Sequence, residues 1–398
     1  MTSLERRSAA GLASIFGLRM FGLFLILPVF AVYGAELDGA TPALIGLAIG
    51  VYGLTQALLQ MPMGFASDRL GRRPVILAGL LIFAVGSVVA ALADHIVGVI
   101  IGRALQGSGA IAAAVLALAA DLTVPRHRTI TMAIIGMSVG ASFLLAMMVG
   151  PALAGIGGLE SIFWVSAALA VAAIGVLYGV IPAPGQEQIH ADAQPVRSQF
   201  GTVLCAADLL RLDVGIFILH FALTAAFVVL PLMLQDTLAL DVGAHWKVYV
   251  PVLLLSVVAL APAIVLSERR QWHRQVLFSA VACLTIAQFA MAAFGQGVLA
   301  LLAALWLWFA AFNVLEATLP SLISRYAPAE SKGTALGVYA TSQFAGAFLG
   351  GVVGGLVYGA GGVGWVFFVG GLATVGWLVT VWGMGEVPDV RHARASEG

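Results

Sequence analysis

The chain has 398 residues, of which 61% are hydrophobic and only 10% are charged. Soluble domains carry about 25% charged residues, so most of this apolar surface needs lipid as its solvent. The formal net charge is zero, which leaves no overall positive field to attract nucleic acid. Composition therefore predicts an integral membrane protein and argues against a nucleic-acid-binding one.

Unbroken apolar runs of about twenty residues predict membrane-spanning helices, because the strands of a β-barrel would alternate polar and apolar positions. Twelve such runs lie at 11–34, 42–66, 74–94, 96–120, 129–156, 159–181, 211–235, 247–266, 275–294, 297–324, 333–358 and 363–385. We predict an all-α membrane protein with two pseudo-symmetric six-helix bundles, at 1–181 and 211–388. A cytoplasmic linker at 182–210 would join them, and a cytoplasmic tail would follow at 389–398.

The two halves also share landmarks at an offset of about 200 positions. Leu27-Pro28-Val29 recurs as Leu230-Pro231-Leu232, Pro62 as Pro262, and Pro125 as Pro328. Parallel six-helix repeats are one plan of secondary transporters, with the substrate site between the repeats near the membrane midplane. The landmarks therefore favour a transporter.

Arginine and lysine residues set the expected orientation. In a twelve-span arrangement nearly all of those in loops fall on one side, and Lys247 falls on the other. Cytoplasmic loops carry the excess of positive charge, so we expect both termini in the cytoplasm and the protein in a bacterial inner membrane.

Cysteine and histidine residues give no sign of a metal or cofactor site. Cys205 and Cys283 lie far apart, and the seven histidines are scattered singly. No nucleophile–base cluster is recognisable either. We expect no metal, no cofactor and no enzymatic activity.

The loop between the second and third spans carries the most specific signal. It reads Gly64-Phe-Ala-Ser-Asp-Arg-Leu-Gly-Arg-Arg-Pro74. Positive-inside bias explains the arginines but not the aspartate four residues after a glycine. The run resembles the signature loop of the major facilitator superfamily, G-x-x-x-D-R-x-G-R-[RK], at every fixed position.

This resemblance implies a conformational latch on the cytoplasmic side. In that family the aspartate, here Asp68, sits against the start of helix 11, and the arginine, here Arg72, pairs with an acid that matches Asp121. Such a shielded pair is expected to be lost when the two halves separate. The predicted latch comprises Gly64, Asp68, Arg69, Gly71, Arg72, Arg73 and Asp121. The counterpart of this loop in the second half is Ser267-Glu-Arg-Arg270. We assign only loop packing to it.

Two further motifs resemble those of antiporters. Arg103-Ala-Leu-Gln-Gly-Ser-Gly-Ala110 is similar to R-x-x-Q-G-x-G-A, in which the arginine is linked to proton transfer. Gly150-Pro151-Ala-Leu-Ala-Gly155 is similar to the G-P-x-x-G motif of the exporter branch and predicts a kink in helix 5. Phrases such as Ala244-His-Trp-Lys-Val-Tyr249 resemble the bacterial YajR-type transporters, here expected without a C-terminal soluble domain.

Ionisable residues inside apolar runs are functional candidates. Glu316 is interpreted as the only carboxylate deep within such a run and as a proton carrier; a structural hydrogen bond is the alternative. His220 could carry protons or simply pack. Arg19 could anchor at an interface or pair with a cavity acid. Arg103 completes the proton-coupling candidates.

Several polar and aromatic side chains repeat at helical spacing and could line a substrate cavity. These are Tyr52, Gln56, Gln60, Gln106, Phe217, Phe309, Asn313, Tyr339 and Gln343. Phe309, Asn313 and Glu316 are expected to share one face. The alternative for the stripes on helices 2 and 11 is hydrogen bonding between helices.

The sequence as a whole favours proton-coupled export of a small amphipathic compound by alternating access. Its partners would be the substrate, protons and the lipid bilayer, and we expect a monomer. Export of sugars, amino acids or a glycolipid is the alternative within the same fold. A non-transporting membrane sensor is a different class, but it would be expected to bring an output domain.

Overall fold

A computed structural model describes residues 1–182, 197–385 and 387. Within that part the chain is helical, apart from one isolated bridge between Asp38 and His95. The spanning helices are α1 Ser3–Phe24, α2 Pro42–Leu70, α3 Arg72–Ala91, α4 Ile96–Ser108 with Ala112–Asp121, α5 (125–156) and α6 (159–179) within Pro125–Gly179, α7 Ala207–Leu238, α8 Trp246–Arg270, α9 His273–Phe294, α10 Val298–Tyr326, α11 Lys332–Gly361 and α12 Val363–Trp382. Short helices occupy Phe30–Tyr33 and Phe200–Leu204, and 3-10 turns occupy Gly34–Glu36, Arg197–Gln199, Val242–Ala244 and Ala329–Ser331.

Ten helices in the described part are long and apolar enough to cross a membrane. One of them, Pro125–Gly179, is two crossings, because Gly157 and Gly158 leave helical dihedral angles and Gly158 has a φ of +64°. A further crossing comes from α1, which continues through a turn into Phe30–Tyr33. The described residues thus provide the predicted twelve spans.

Local chemistry explains where several helices begin and end. Thr2 and Glu5 form a capping box at the start of α1, in which each side chain accepts a hydrogen bond from the other's backbone N–H. Thr41 caps α2, and Pro42 occupies its first turn. Gly71 separates α2 from α3 with a φ of +94°, a backbone conformation that favours glycine.

The helices pack as two groups, α1–α6 and α7–α12, with α2 against α11 as the most extensive contact between them. Glycine makes this contact close. A Cβ atom built on Gly46 would overlap the carbonyl oxygen of Gly351, and one on Gly50 would lie 2.6 Å from the carbonyl oxygen of Phe348. Small residues let helix backbones approach in this way in lipid, where burial of apolar side chains gives little driving force.

The bundle has two ends, which we call the motif face, where α1 begins and the 64–74 loop lies, and the opposite face, where α2 begins. The close contacts described here between the two groups lie between the middle of the bundle and the opposite face. The rings of Tyr52 and Phe344 are 6.3 Å apart near the middle. At the opposite face, a Cβ atom on Gly155 of α5 would lie 3.3 Å from Gly243 Cα.

Two predicted boundaries differ from the structure. Within the predicted linker at 182–210, Phe200–Leu204 is helical and α7 begins at Ala207, so the second bundle starts before 211. The reason is that Ala207 to Leu210 are good helix formers adjoining the apolar run. The linker residues 183–196 and the predicted tail at 389–398 lie outside the described residues.

Candidate transport site

Three predicted residues from three helices meet in the second bundle: His220 of α7, Glu316 of α10 and Gln343 of α11. Gln343 Nε2 lies 2.8 Å from His220 Nε2 and 3.4 Å from Glu316 Oε1. His220 Nε2 lies 3.9 Å from Glu316 Oε2. The side chain of Glu316 is 38% exposed as a whole, although its Oε2 atom is buried and has no hydrogen-bond partner among the described residues.

The hydrogen bonds assign the tautomer of His220. An amide nitrogen only donates, so His220 Nε2 accepts from Gln343. The ring proton then lies on Nδ1, which donates to the carbonyl oxygen of Ile216 at 3.3 Å. His220 is therefore held as a neutral imidazole, and Gln343 is the side chain that joins it to Glu316.

A second carboxylate in the same bundle was missed in the sequence. Asp213 lies on α7, two turns from His220 toward the motif face, and is 5% exposed. Neither of its carboxylate oxygens has a hydrogen-bond partner among the described residues. The prediction that Glu316 is the only deep carboxylate is therefore wrong. Asp213 lies close to the start of the predicted run at 211–235, but α7 begins at Ala207, which places this residue well inside the helix.

In the first bundle, Arg19 is surrounded by neutral side chains. Its Nη2 donates to Gln56 Oε1 at 2.8 Å, and Gln56 Nε2 donates to Gln60 Oε1 at 3.0 Å. The guanidinium carbon lies 5.7 Å from the Tyr52 ring centroid and 5.6 Å from that of Phe83. Arg19 is 0% exposed, so it does not anchor at an interface, and no described acid forms an ion pair with it.

Arg103 has a similar environment and also contacts Tyr52. Its Nη1 donates to Gln106 Oε1 at 2.8 Å and its Nε to the carbonyl oxygen of Ala48 at 3.4 Å. Gln106 in turn donates to Ser87 Oγ at 2.7 Å. The Arg103 guanidinium carbon lies 5.1 Å from the Tyr52 ring centroid. Arg19 and Arg103 therefore both pack on the ring of Tyr52.

Four of the predicted cavity residues are enclosed rather than open. Tyr52, Gln56, Gln60 and Gln106 are all buried in this structure. Their amides hydrogen-bond the arginines and one another instead of facing open space. In this conformation hydrogen bonding between side chains within the bundle describes the three glutamines, whereas the Tyr52 hydroxyl group has no hydrogen-bond partner among the described residues.

The expected shared face of Phe309, Asn313 and Glu316 is also divided. Phe309 is fully buried, with its ring centroid 6.3 Å from that of Phe143 and 6.5 Å from that of Phe227. Asn313 turns toward α8 and donates to Ser256 Oγ at 2.7 Å. Positions three, four and seven apart share one face of a helix, so the division comes from the different side chains that the neighbouring helices place opposite each residue.

The remaining predicted cavity residues lie on α7 and α11. Phe217 is partly buried, and its backbone is in close contact with Gly346. Tyr339 is buried one turn from Gln343, and its hydroxyl group has no described hydrogen-bond partner. It lies within electrostatic range of both Glu316 and Asp213.

The signature loop forms a compact ion cluster. Arg72 is 1% exposed and pairs with Asp68, with Asp121 at 3.3 Å and with Ser67 Oγ at 3.0 Å. Arg73 donates to the carbonyl oxygen of Leu177 at 2.9 Å. Arg69 is exposed, and Gly64 packs α2 closely against Ala113 of α4.

All members of this cluster belong to the first bundle. Asp68 ends α2, Arg72 begins α3 and Asp121 ends α4. Separation of the two bundles would not by itself pull Arg72 away from Asp121. The expectation that this pair breaks when the halves separate therefore has no basis in this geometry, and any latching must involve other contacts of the loop.

The second bundle has a counterpart cluster to which we assigned only loop packing, and the structure adds an ion pair there. Both carboxylate oxygens of Glu268 accept from Arg325 Nη2 at 2.9 Å. Ser267 Oγ lies 2.6 Å from His273 Nδ1, in the same place as the Ser67–Arg72 contact of the first bundle. Arg325 and His273 were missed because their residue types differ from those of the signature loop.

The predicted kink at Gly150-Pro151 does not interrupt α5, and the next break in the backbone is the turn between α5 and α6. The backbone stays helical through Pro151 and leaves helical dihedral angles at Gly157 and Gly158. Gly150 instead provides close packing, since a Cβ atom there would lie 2.6 Å from the carbonyl oxygen of Leu25. Gly155 approaches Gly243 across the two bundles.

The described residues contain no group of three or more His, Cys, Asp or Glu placed to hold a metal ion.

In a comparison with known proteins, the chain matches the family model described as Major Facilitator Superfamily at residues 12–351 and 212–398. The chain is 44% identical to the inner membrane transport protein YajR of Escherichia coli (strain K12) over 394 residues, covering 99% of this chain and 87% of that protein. It is 32% identical to an uncharacterized transporter, BU466, of Buchnera aphidicola subsp. Acyrthosiphon pisum, covering 88% and 90% of the two chains.

Among solved structures, a bacterial homologue of the human lysosomal transporter Spinster, in an inward-facing and occupied conformation, matches with a TM-score of 0.76. Its sequence identity is 15%, and the match covers 96% of this chain and 95% of that one, so the likeness concerns the fold. Proteins of this fold and family are transporters rather than enzymes. The chain belongs to the major facilitator superfamily.

Proposed function

We propose that the protein exports a small amphipathic compound in exchange for protons, by alternating access. Its place would be the bacterial inner membrane, with the motif face and both termini toward the cytoplasm. No cofactor would be needed, because the proton gradient supplies the energy, and one chain would be the working unit.

The observation that carries this proposal is the carboxyl group of Glu316, which lies on a partly exposed side chain and is held by Gln343 beside His220. The described neighbours of Glu316 are neutral groups. Gain or loss of a proton by its carboxyl group therefore leaves no cation unpaired. A carboxylic acid bordering an apolar cavity can exist in either protonation state near neutral pH. Exposure of such a group to one side at a time is what proton coupling requires.

The packing of the two bundles supports alternating access. Their close backbone contacts lie between the middle and the opposite face, where Gly46 meets Gly351 and Gly155 meets Gly243. A rigid-body rocking motion about the middle would open these contacts while closing the motif face. Such a motion would expose a site between the bundles, where Glu316 is proposed to act, to one side of the membrane at a time.

The function is tested with the purified full-length protein in sealed vesicles. Amphipathic drugs, sugars and amino acids would be screened for uptake with an acid interior and again with equal pH on both sides. We expect amphipathic compounds to accumulate only with the gradient, and a matching release of protons that a trapped pH dye records. Accumulation of sugars alone, or accumulation that ignores the gradient, would contradict the proposal.

A further inference from the structure

We propose that the first bundle binds an anionic group between Arg19 and Arg103, and that the transported compound, or a small ion that moves with it, carries this negative charge. This deepens the proposed function and rests on it. The argument begins with the charges that each arginine meets. Arg19 is 0% and Arg103 1% exposed, so neither guanidinium reaches water in this conformation.

The described partners of both arginines are all neutral. Arg19 donates to Gln56, and Arg103 donates to Gln106 and to the carbonyl oxygen of Ala48. Two nitrogens of Arg19, Nε and Nη1, have no hydrogen-bond partner among the described residues. Two full positive charges therefore lie inside one bundle without a described carboxylate to balance them.

Arg72, an arginine of the same bundle with a structural role, provides a comparison for Arg19 and Arg103. It is as buried as Arg103, yet it pairs with two carboxylates, Asp68 and Asp121. A buried charge without a counter-ion costs free energy, and ionisable groups kept inside membrane segments are generally functional. The missing negative charge at Arg19 and Arg103 is best supplied by a ligand.

Tyr52 connects this pair of charges to the path between the bundles. Both guanidinium groups pack on its ring, with the guanidinium carbon of Arg19 5.7 Å and that of Arg103 5.1 Å from the ring centroid. The same ring meets Phe344 of α11 across the bundle interface at 6.3 Å. Opening of the α2–α11 contact would free Tyr52 and uncover the arginines on the side where a transported compound passes.

The two bundles also differ in the sign of their central charges. Arg19 and Arg103 belong to the first bundle, whereas Glu316 and Asp213 belong to the second. An anionic group would therefore be held by the first bundle rather than by the carboxylates of the second.

The test measures binding to the full-length protein in detergent without any pH gradient. Thermal unfolding is followed by tryptophan fluorescence with three probes of nearly equal size: benzoate, benzamide and benzylammonium. A parallel arm replaces sodium gluconate with sodium chloride. At ten times its dissociation constant, a bound anion should raise the unfolding midpoint by about 2 °C.

We expect benzoate, chloride or both to stabilise the parent protein, and benzamide and benzylammonium not to. A benzoate response assigns the site to an organic carboxylate, and a chloride response alone assigns it to a free inorganic anion. Arg19→Gln should abolish the response. Arg7→Gln, the same change at an exposed arginine of the same bundle that binds the carbonyl oxygen of Gly179, should retain it.

If Arg19→Gln does not fold, Arg103→Gln and the charge-preserving Arg19→Lys serve in its place, with loss expected for the first and partial retention for the second. The proposal is overturned if benzoate and benzamide act alike, if no anion stabilises the protein, or if the response survives both glutamine substitutions. Because no gradient is used, each of these results would leave proton-coupled export untouched. A loss of gradient-driven transport with intact anion binding would instead count against the proposed function.

Discussion

Arg325 at the end of α10 donates from Nη2 to both carboxylate oxygens of Glu268 at the end of α8, at 2.9 Å each. Glu268 stands where Asp68 stands in the first bundle and Arg325 where Asp121 stands, so the pair is the counterpart of the buried pairs that Arg72 forms there. It is also far more open, since the Glu268 side chain is 48% exposed whereas that of Asp121 is 0% exposed. Pseudo-symmetric positions therefore hold ion pairs of very different burial.

This difference predicts unequal effects on stability. Asp121→Asn should lower the free energy of unfolding by about 3 kcal/mol, because it removes a carboxylate from a buried arginine. Glu268→Gln should lower it by less than about 1 kcal/mol, since an exposed ion pair is screened by water. Thermal unfolding in detergent measures both. Equal losses in the two variants would contradict the assignment of Arg72–Asp121 as the structural pair.

Glu316→Gln should abolish gradient-driven uptake into inverted vesicles and leave counterflow exchange of substrate in place. Glutamine keeps the size and one acceptor oxygen for Gln343 but cannot release a proton. Glu268→Gln, the same change at an exposed glutamate, is the matched control and should transport normally. If Glu316→Gln still concentrates substrate against its gradient, the proton moves elsewhere, and Asp213 becomes the next residue to test.

Gly46→Ala should destabilise the closed contact between α2 and α11. Its Cβ atom would overlap the backbone oxygen of Gly351, which cannot move aside as a flexible side chain could. Overpacking of this kind costs about 1–3 kcal/mol. Hydrogen–deuterium exchange should increase at the opposite-face ends of both helices.

Gly136→Ala is the control for that experiment. Nothing lies within 4 Å of a Cβ atom built there, so neither exchange nor stability should change. Unchanged exchange in Gly46→Ala would mean that the two helices are not held together by this glycine contact.

Glu5 ties the amino-terminal segment to the loop before α5. Its carboxylate accepts from the backbone N–H groups of Thr2 and Val124 and lies 3.1 Å from His127 Nδ1. The hydrogen bonds from Thr2 and then Val124 lower the pKa of Glu5 from 4.5 to about 2. A lowered carboxyl pKa contributes stability above the unfolded value of 4.5, and this contribution is lost as pH falls toward about 2.

Glu5→Gln should therefore unfold at a lower temperature than the parent protein at pH 7, because it removes the charge that these bonds stabilise. The difference in unfolding midpoint that comes from the carboxylate should hold down to about pH 5 and shrink below it. Unfolding curves of both proteins across this range measure it. A difference that grows as the solution becomes more acidic would have the wrong sign for this explanation.

The sequence by itself determined the twelve spans, the two similar halves and the family. The reason is that lipid imposes a requirement that can be read along the chain: every span must be a continuous apolar helix whose backbone groups bond to one another. The loop from Gly64 to Pro74 and the proline landmarks added signals that depend only on residue order. The prediction of contacts such as the ion pair between Arg72 and Asp121 depended on the family resemblance as well.

Only the tertiary structure decided which polar side chains meet inside the membrane. Helical spacing gives the face on which a residue lies, but not the rotation of a neighbouring helix or the partner on it. Gln343 therefore joins Glu316 to His220, while Asn313, one turn away on the same helix, bonds to α8 instead. The two arginines packed on Tyr52 come from different helices, and only packing brings them to one ring.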